Sequence, residues 1–373
     1  IRAGMRSARP PLAAHDELCV ALARRGKLRP GPLDAGVVFR PLQPSDREAV
    51  EYLNSVTYGG HDYVAAALPQ WLAREGIDSF SAVAEGEAGD VAGIEVLALY
   101  DGGQTGWLEA LRVHPGHRGR GLATALQSHL IEVARTSLRL RCVRYTTAAA
   151  NVASRRLAAR CGLDVVAAWG VIMPRRKAPL AALASRLASA SSRQRHRGPS
   201  GPRQLVPQAW PEDAPSEPLV SCCRRQGQEF LLQRCWKALD ASVANVDLLR
   251  REPEHRPPLV LAEASGDVAS FSWAYYKLDA LGCSAFVTVY AWDLAAALGL
   301  MAAEVSAADA NGATSVLLMY TAPELLEEPL FQMGLAQRSP ATPLDAAGAS
   351  APAVPKHVLL FERRFEEGNI ETS

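Results

Sequence analysis

The 373-residue chain has no run of about eighteen apolar residues, so nothing in it reads as a membrane-spanning helix. It also lacks an excess of either charge. Its 40 Lys and Arg stand against 39 Asp and Glu, for a formal charge of +1. That balance excludes a global field steering the protein to nucleic acid or a membrane, and any anion site must be local. Cysteine is sparse. The seven thiols (Cys19, Cys142, Cys161, Cys222, Cys223, Cys235 and Cys283) are scattered and odd in number, with neither metal nor disulfide spacing. They read as reduced thiols of a cytoplasmic protein. His114 and His117 are spaced like a ligand pair, but no second pair accompanies them, so no metal is expected. Two phosphate-binding strings are missing as well: neither G-x-x-x-x-G-K-[ST] nor G-x-G-x-x-G occurs.

What is present is apolar residue, 48% of the chain, in a length that exceeds one ordinary core, so two domains are expected. Residues 1–37 are Arg-rich and read as a flexible tail, with an organelle transit segment as the alternative. Because it opens at Ile1, the chain is expected to be a fragment or an incomplete gene product. The stretch 174–218, rich in Pro, Ser, Ala and Arg, places a linker at 177–218 carrying at most one short Ala/Leu helix. Domains are then expected at 38–176 and 219–373.

The two halves carry elements in the same order. In the first, a helical region over 45–73 leads to strands at FSAVAEG, VAGIEVLALYDG and TGWLEALRV. A helix over 121–137, the strand LRCVRYTTAA, the helix NVASRRLAARCGL and the strand DVVAAWGVIM follow. The second half repeats this with PLVLAEA, VASFSWAYYKL, SAFVTVYAW, a helix over 293–309, ATSVLLMY, PELLEEPLFQMGL and HVLLFERRF. Such an order predicts an α/β (α+β) fold, each half a mixed, largely antiparallel sheet flanked by helices.

One segment is not repeated. The first half has LRVHPGHRGRGLATAL, residues 111–126, between a strand and a helix; the second has only Asp293, an N-cap residue. Gly119 and Gly121 let the backbone turn and expose consecutive N–H groups, with the helix N-terminus behind them. Those dipoles, with Arg118 and Arg120, make a compact anion site suited to two adjacent phosphates. On these residues alone, a basic helix start with no ligand remains open.

The string V-H-P-G-H-R-G-R-G-L-A resembles the acetyl-CoA loop of the GNAT acetyltransferases, [RQ]-x-x-G-x-[GA], carried here by Arg118, Gly121 and Ala123. NVASRRLAARCGL, Asn151 to Leu163, resembles that family's second motif, an Asn-led helix. The resemblance covers about residues 38–176 and implies tandem GNAT-like domains, of which only the first works. It implies acetyl-CoA as co-substrate, held by Leu111, Arg112, Val113, Arg118, Gly119, Arg120, Gly121, Leu122, Ala123, Thr124, Asn151 and Ser154. In that family the strand before the loop pairs with the pantetheine as an added strand. Two departures stand out: Ala158 where the family often has a thiolate-protonating Tyr, and Leu163 where a Phe is usual.

Upstream, TYGGHDYVAAALPQWL, residues 57–72, resembles the Tyr-Gly-Gly-x-Asp-Tyr segment of the vertebrate histidine N-acetyltransferases. That narrower likeness implies the α-amino group of free L-histidine, or of another amino acid, as acceptor. Tyr58, Asp62, Tyr63 and Trp71 would then bind it, the carboxylate pairing with a cation and the rings stacking on an imidazole. A tight turn with core aromatics is the plain alternative.

An amine attacking a thioester needs a base, and Glu109 is the first candidate. Strand alternation places it on one face with Leu111 and Val113. Glu95, on the neighbouring strand, is expected beside it, where two nearby carboxylates would raise one pKa toward neutrality. Competing readings are a protein acetyltransferase acting on lysine or N-terminal amines, and a non-catalytic CoA-binding scaffold.

Overall fold

The computed structural model describes residues 37–60, 62–74, 79–85, 90–172, 179–195, 206–233, 236–263, 265–279, 282–335 and 357–365. Residues 1–36, most of the expected tail, and Cys19 and Cys235 lie outside them. The chain divides into two compact units, one of residues 1–145, 156–164 and 362–373, the other of residues 146–155 and 165–361.

The first unit runs β1 (Val38–Arg40), α1 (Arg47–Ser55), α2 (Val64–Arg74), β2 (Ser79–Glu85), β3 (Val91–Tyr100), β4 (Thr105–Val113), α3 (Leu122–Glu132) and into β5 (Cys142–Ala148). Strands β1 to β4 pair antiparallel in chain order, and β5 joins β4 in parallel. The expected helical region over 45–73 is made of two helices, because Tyr58, Gly59 and Gly60 form a turn with φ of 48°, 66° and 84°. β3 is apolar on both faces because both are covered. On one face Val50, Leu53, Val64, Leu68 and Trp71 of α1 and α2 pack against Val83, Ile94 and Val96. On the other face lies α3: a Cβ on Gly93 would stand 3.1 Å from the Leu126 side chain and 2.9 Å from the Arg112 carbonyl. Buried Arg144 is held by Asp101 at 3.1 Å and Glu362 at 2.5 Å.

Helix α4 (Val152–Arg160) and strand β6 (Asp164–Ile172) follow β5. The second unit adds α5 (Leu180–Arg195), β7 (Gln208–Ala209), α6 (Glu217–Arg225), β8 (Phe230–Gln233), β9 (Lys237–Asp240) and α7 (Val243–Arg251). Then come β10 (Leu259–Ala262), β11 (Val268–Asp279), β12 (Gly282–Tyr290), α8 (Leu294–Ala310), β13 (Ser315–Tyr320), α9 (Pro323–Gln332) and β14 (His357–Arg364). Its strand order is β6-β13-β12-β11-β10-β7, antiparallel except for β12 and β13. The protein is thus mixed α/β with mostly antiparallel strands, and β10 to β14 repeat the alternation of β2 to β6.

Residues 180–195 correct the expectation of a tether with at most a short helix. Leu180, Leu183, Ala184, Leu187 and Ala190 are buried in one cluster with Ala297, Leu298 and Met301 of α8. Their three- and four-residue spacing is that of a core-facing stripe, so this helix belongs to the second core.

Candidate active site

The site begins with an irregularity in β4. Val96 opposes Glu109 and Ile94 opposes Arg112, so Glu95 alone faces both Ala110 and Leu111. This is a β-bulge, and Ala110 takes φ of 61° within it. The extra residue reverses the alternation. Glu109 and Arg112 share the face of Val96 and Ile94, toward α1 and α2, whereas Val113 opposes Gly93 on the α3 side. The expected common face of Glu109, Leu111 and Val113 is therefore broken.

Glu95 does not stand beside Glu109 either, since neighbours along β3 point to opposite faces. It is 1% exposed, and its Oε2 has no hydrogen-bond partner among the described residues. Burial alone pushes its carboxyl well above the usual carboxylate range. The parallel ladder to β5 ends at Trp107 opposite Arg144. Beyond it, among the described residues, Leu108–Val113 have a strand neighbour only in β3.

The loop then turns as its glycines require. Pro115–His117 form one turn of 3-10 helix, and Arg118 is extended. Gly119 and Gly121 take φ of 80° and 79°, and a Cβ on either would meet nothing within 4 Å. Gly121 is the N-cap of α3, its carbonyl accepting from Ala125 N–H at 3.1 Å. Leu122, Ala123 and Thr124 form the first turn, whose N–H groups have no carbonyl four residues back. Arg118 Nε donates to the Val113 carbonyl at 3.2 Å, anchoring that side chain to the strand end. His117 pairs with Asp90 at 2.8 Å, and His114 stacks on Tyr52 with Nδ1 accepting from Gly116 N–H. Both histidines thus brace the loop; among the described residues no cluster suited to a metal occurs.

Arg112 is the centre of a second set of residues. Its Nε and Nη2 donate to the two oxygens of Asp62 at 2.6 and 2.7 Å, and Nη1 donates to the Leu111 carbonyl at 2.9 Å. The guanidinium lies 5.4 Å from the Tyr58 ring centre and 5.8 Å from that of Tyr63. Tyr63 also lies close to the Ala110 backbone. Burial first, then the nearby Glu109 charge, raises its phenol above the ordinary value. Arg112 lines a cavity of about 300 Å³ with Val56, Thr57, Tyr58, Leu111, Val113 and Arg118.

Two expectations change here. Asp62, whose side chain is fully buried, already has both oxygens engaged by Arg112 and cannot itself meet a cationic ligand. Trp71 is a core residue, packed edge-on against Tyr63 at 6.2 Å. Arg112, by contrast, sits among the residues expected to bind the acceptor. The bulge at Ala110 had no sequence signal, since nothing about an alanine announces a left-handed backbone.

Asn151 caps α4, its Oδ1 accepting from Ser154 N–H at 3.1 Å, and both residues belong to the second unit. Ala158 is fully buried, so no hydroxyl comes from that position. Cys142 and Cys161 are buried, and burial raises both thiols above their ordinary range.

Residues 48–163 match the profile of the Acetyltransferase (GNAT) family. A Histidine N-acetyltransferase of Xenopus tropicalis is 29% identical over 228 residues, 59% of this chain and 65% of that protein. One of Scomber australasicus is 28% identical over 102 residues, 27% of this chain and 29% of that protein. The matches thus span less than two thirds of these relatives. The solved spermidine N-acetyltransferase from Vibrio cholerae in complex with CoA and spermine is 16% identical. It covers 38% of this chain and 87% of its own, with a TM-score of 0.32. The matched span, residues 48–163, holds both the bulged strand and the glycine-turned loop, and over that span the chain is similar to the GNAT acetyltransferase family.

Proposed function

We propose that the protein is an N-acetyltransferase that moves the acetyl group of acetyl-CoA to the α-amino group of a free amino acid, L-histidine foremost. The observation that carries the reading is the bulged, one-sided end of β4 running into the loop of Gly119 and Gly121. Left-handed glycines with open space beside them form a cradle that a diphosphate fits, and a helix N-terminus stands behind it. Arg118 and Arg120 supply positive charge at the same place. The edge of β4 beyond Trp107 accommodates an extended pantetheine. Histidine as acceptor is supported by the names of the frog and fish relatives.

Acetyl-CoA supplies the activated acyl group, and the chain supplies position and proton handling. An α-amino group with a pKa of about 8 is partly neutral near pH 7. Glu109, on the α1 and α2 side of the bulge, takes its proton directly or through one water as the new bond forms. A backbone N–H of Leu111–Val113 stabilises the oxyanion, a contribution of ~3 kcal/mol. No covalent nucleophile takes part, in keeping with the buried, raised thiols of Cys142 and Cys161.

The test is acetyl-CoA consumption by the full chain against the twenty free amino acids and a set of peptides with free N-terminal or lysine amines. Turnover with histidine above the peptides supports the reading. Turnover with peptides alone would replace it with a protein acetyltransferase, and tight CoA binding without turnover would replace it with a scaffold.

A further inference from the structure

We infer that Arg112 is a carboxylate-binding residue, which makes the enzyme selective for acceptors with a free carboxylate next to the amine. This rests on the reading of a free amino acid acceptor and adds what makes that acceptor distinct from a peptide or a polyamine.

A guanidinium has five N–H donors in a planar fork. Three are engaged here, two by Asp62 and one by the Leu111 carbonyl. One N–H on each terminal nitrogen remains without a partner among the described residues, a pair suited to a bidentate carboxylate. The side chain is 14% exposed, and it opens into the 300 Å³ cavity.

Its position is fixed from several sides. Asp62, its side chain fully buried, holds one edge of the guanidinium, and the rings of Tyr58 and Tyr63 lie near its planar group. Such a group loses little freedom when it takes a ligand. Asp62 is therefore a positioning residue.

The bulge sets the second half of the match. Glu109 and Arg112 are brought to one face of the sheet, where regular alternation would have separated them. A base and a carboxylate binder on one face suit a molecule whose amine and carboxylate share one carbon. An internal lysine has no carboxylate there, and a polyamine has none at all.

The experiment compares L-histidine with L-histidinamide, which keeps the amine and ring but lacks the carboxylate, and follows the KM for acetyl-CoA alongside. For the unaltered protein kcat/KM for histidine exceeds that for the amide by about 100-fold, the scale of a charged hydrogen-bond pair. In Arg112→Met that ratio falls to about one, and in Arg112→Lys, which keeps charge without the fork, it falls part of the way. Asp62→Asn, which releases the guanidinium, lowers the ratio through KM for histidine more than through kcat. Equal use of histidine and its amide by the unaltered protein overturns the carboxylate assignment while leaving acetylation of histidine intact, and needs no variant to fold. A rise in the acetyl-CoA KM of Arg112→Met with the ratio unchanged overturns it in favour of a contact with the co-substrate. Turnover of peptides and of no free amino acid removes the underlying reading, and this one with it.

Discussion

Glu109 and Glu95 show how much a single residue's surroundings decide. Both are glutamates on adjacent strands, yet one faces the Tyr63 and Arg112 side and the other is buried under α3 with an oxygen unpartnered among the described residues. Glu109→Gln is expected to lower kcat by ~10²–10⁴-fold with little change in thermal midpoint, as loss of a general base does. Full activity in that variant would remove the proposed base. Gly119 and Gly121 offer a second test, because a Cβ at either touches nothing and only the backbone is strained. Gly119→Val and Gly121→Val should each cost ~1–2 kcal/mol of loop conformation and raise the acetyl-CoA KM about tenfold. An unchanged KM would separate the loop from the co-substrate.

At the scale of elements, much was legible. Apolar spacing placed most strands and helices of both halves, and the N-cap role of Asp293 is met by its side chain accepting from Ala296 N–H at 2.8 Å. Helix α5 was underread because Ser, Arg and Ala dominate its composition, although Leu180, Leu183 and Leu187 already spell a buried stripe. Leu187, fully buried, is the place to test it. Leu187→Ala should lower unfolding stability by ~2–5 kcal/mol in urea, where an exposed tether would show no change. The reversal of faces across Ala110 was not legible, since period-two reasoning fails by one residue wherever a strand bulges. The pairing of Asp62 with Arg112 spans fifty positions and depends on that reversal, so no local pattern could have announced it.

For the whole molecule, stability should follow the protonation of Glu304 in α8. This carboxyl is 2% exposed, and Ser272 donates to it at 2.6 Å. Burial raises its pKa from 4.5 to about 7. The folded state then holds a proton that the unfolded chain has lost, so stability falls as pH rises between those two values. The full loss is ~3 kcal/mol by pH 8, and it is absent below about pH 4.5. Urea midpoints at pH 5 and pH 8 should differ in the unaltered protein and converge in Glu304→Gln. An equally steep dependence in the variant would assign the effect elsewhere.

The ion pair between Arg144 and Glu362 has a consequence for the order in which the protein is made. The unit that carries the glycine loop includes Glu362, so Arg144, already paired with Asp101, meets its second carboxylate only after the intervening two hundred or so residues have been translated. The first unit is therefore not complete until residue 362 has been made. Until then the half-made protein holds Arg144 with Asp101 alone, and the second carboxylate completes the buried cluster late.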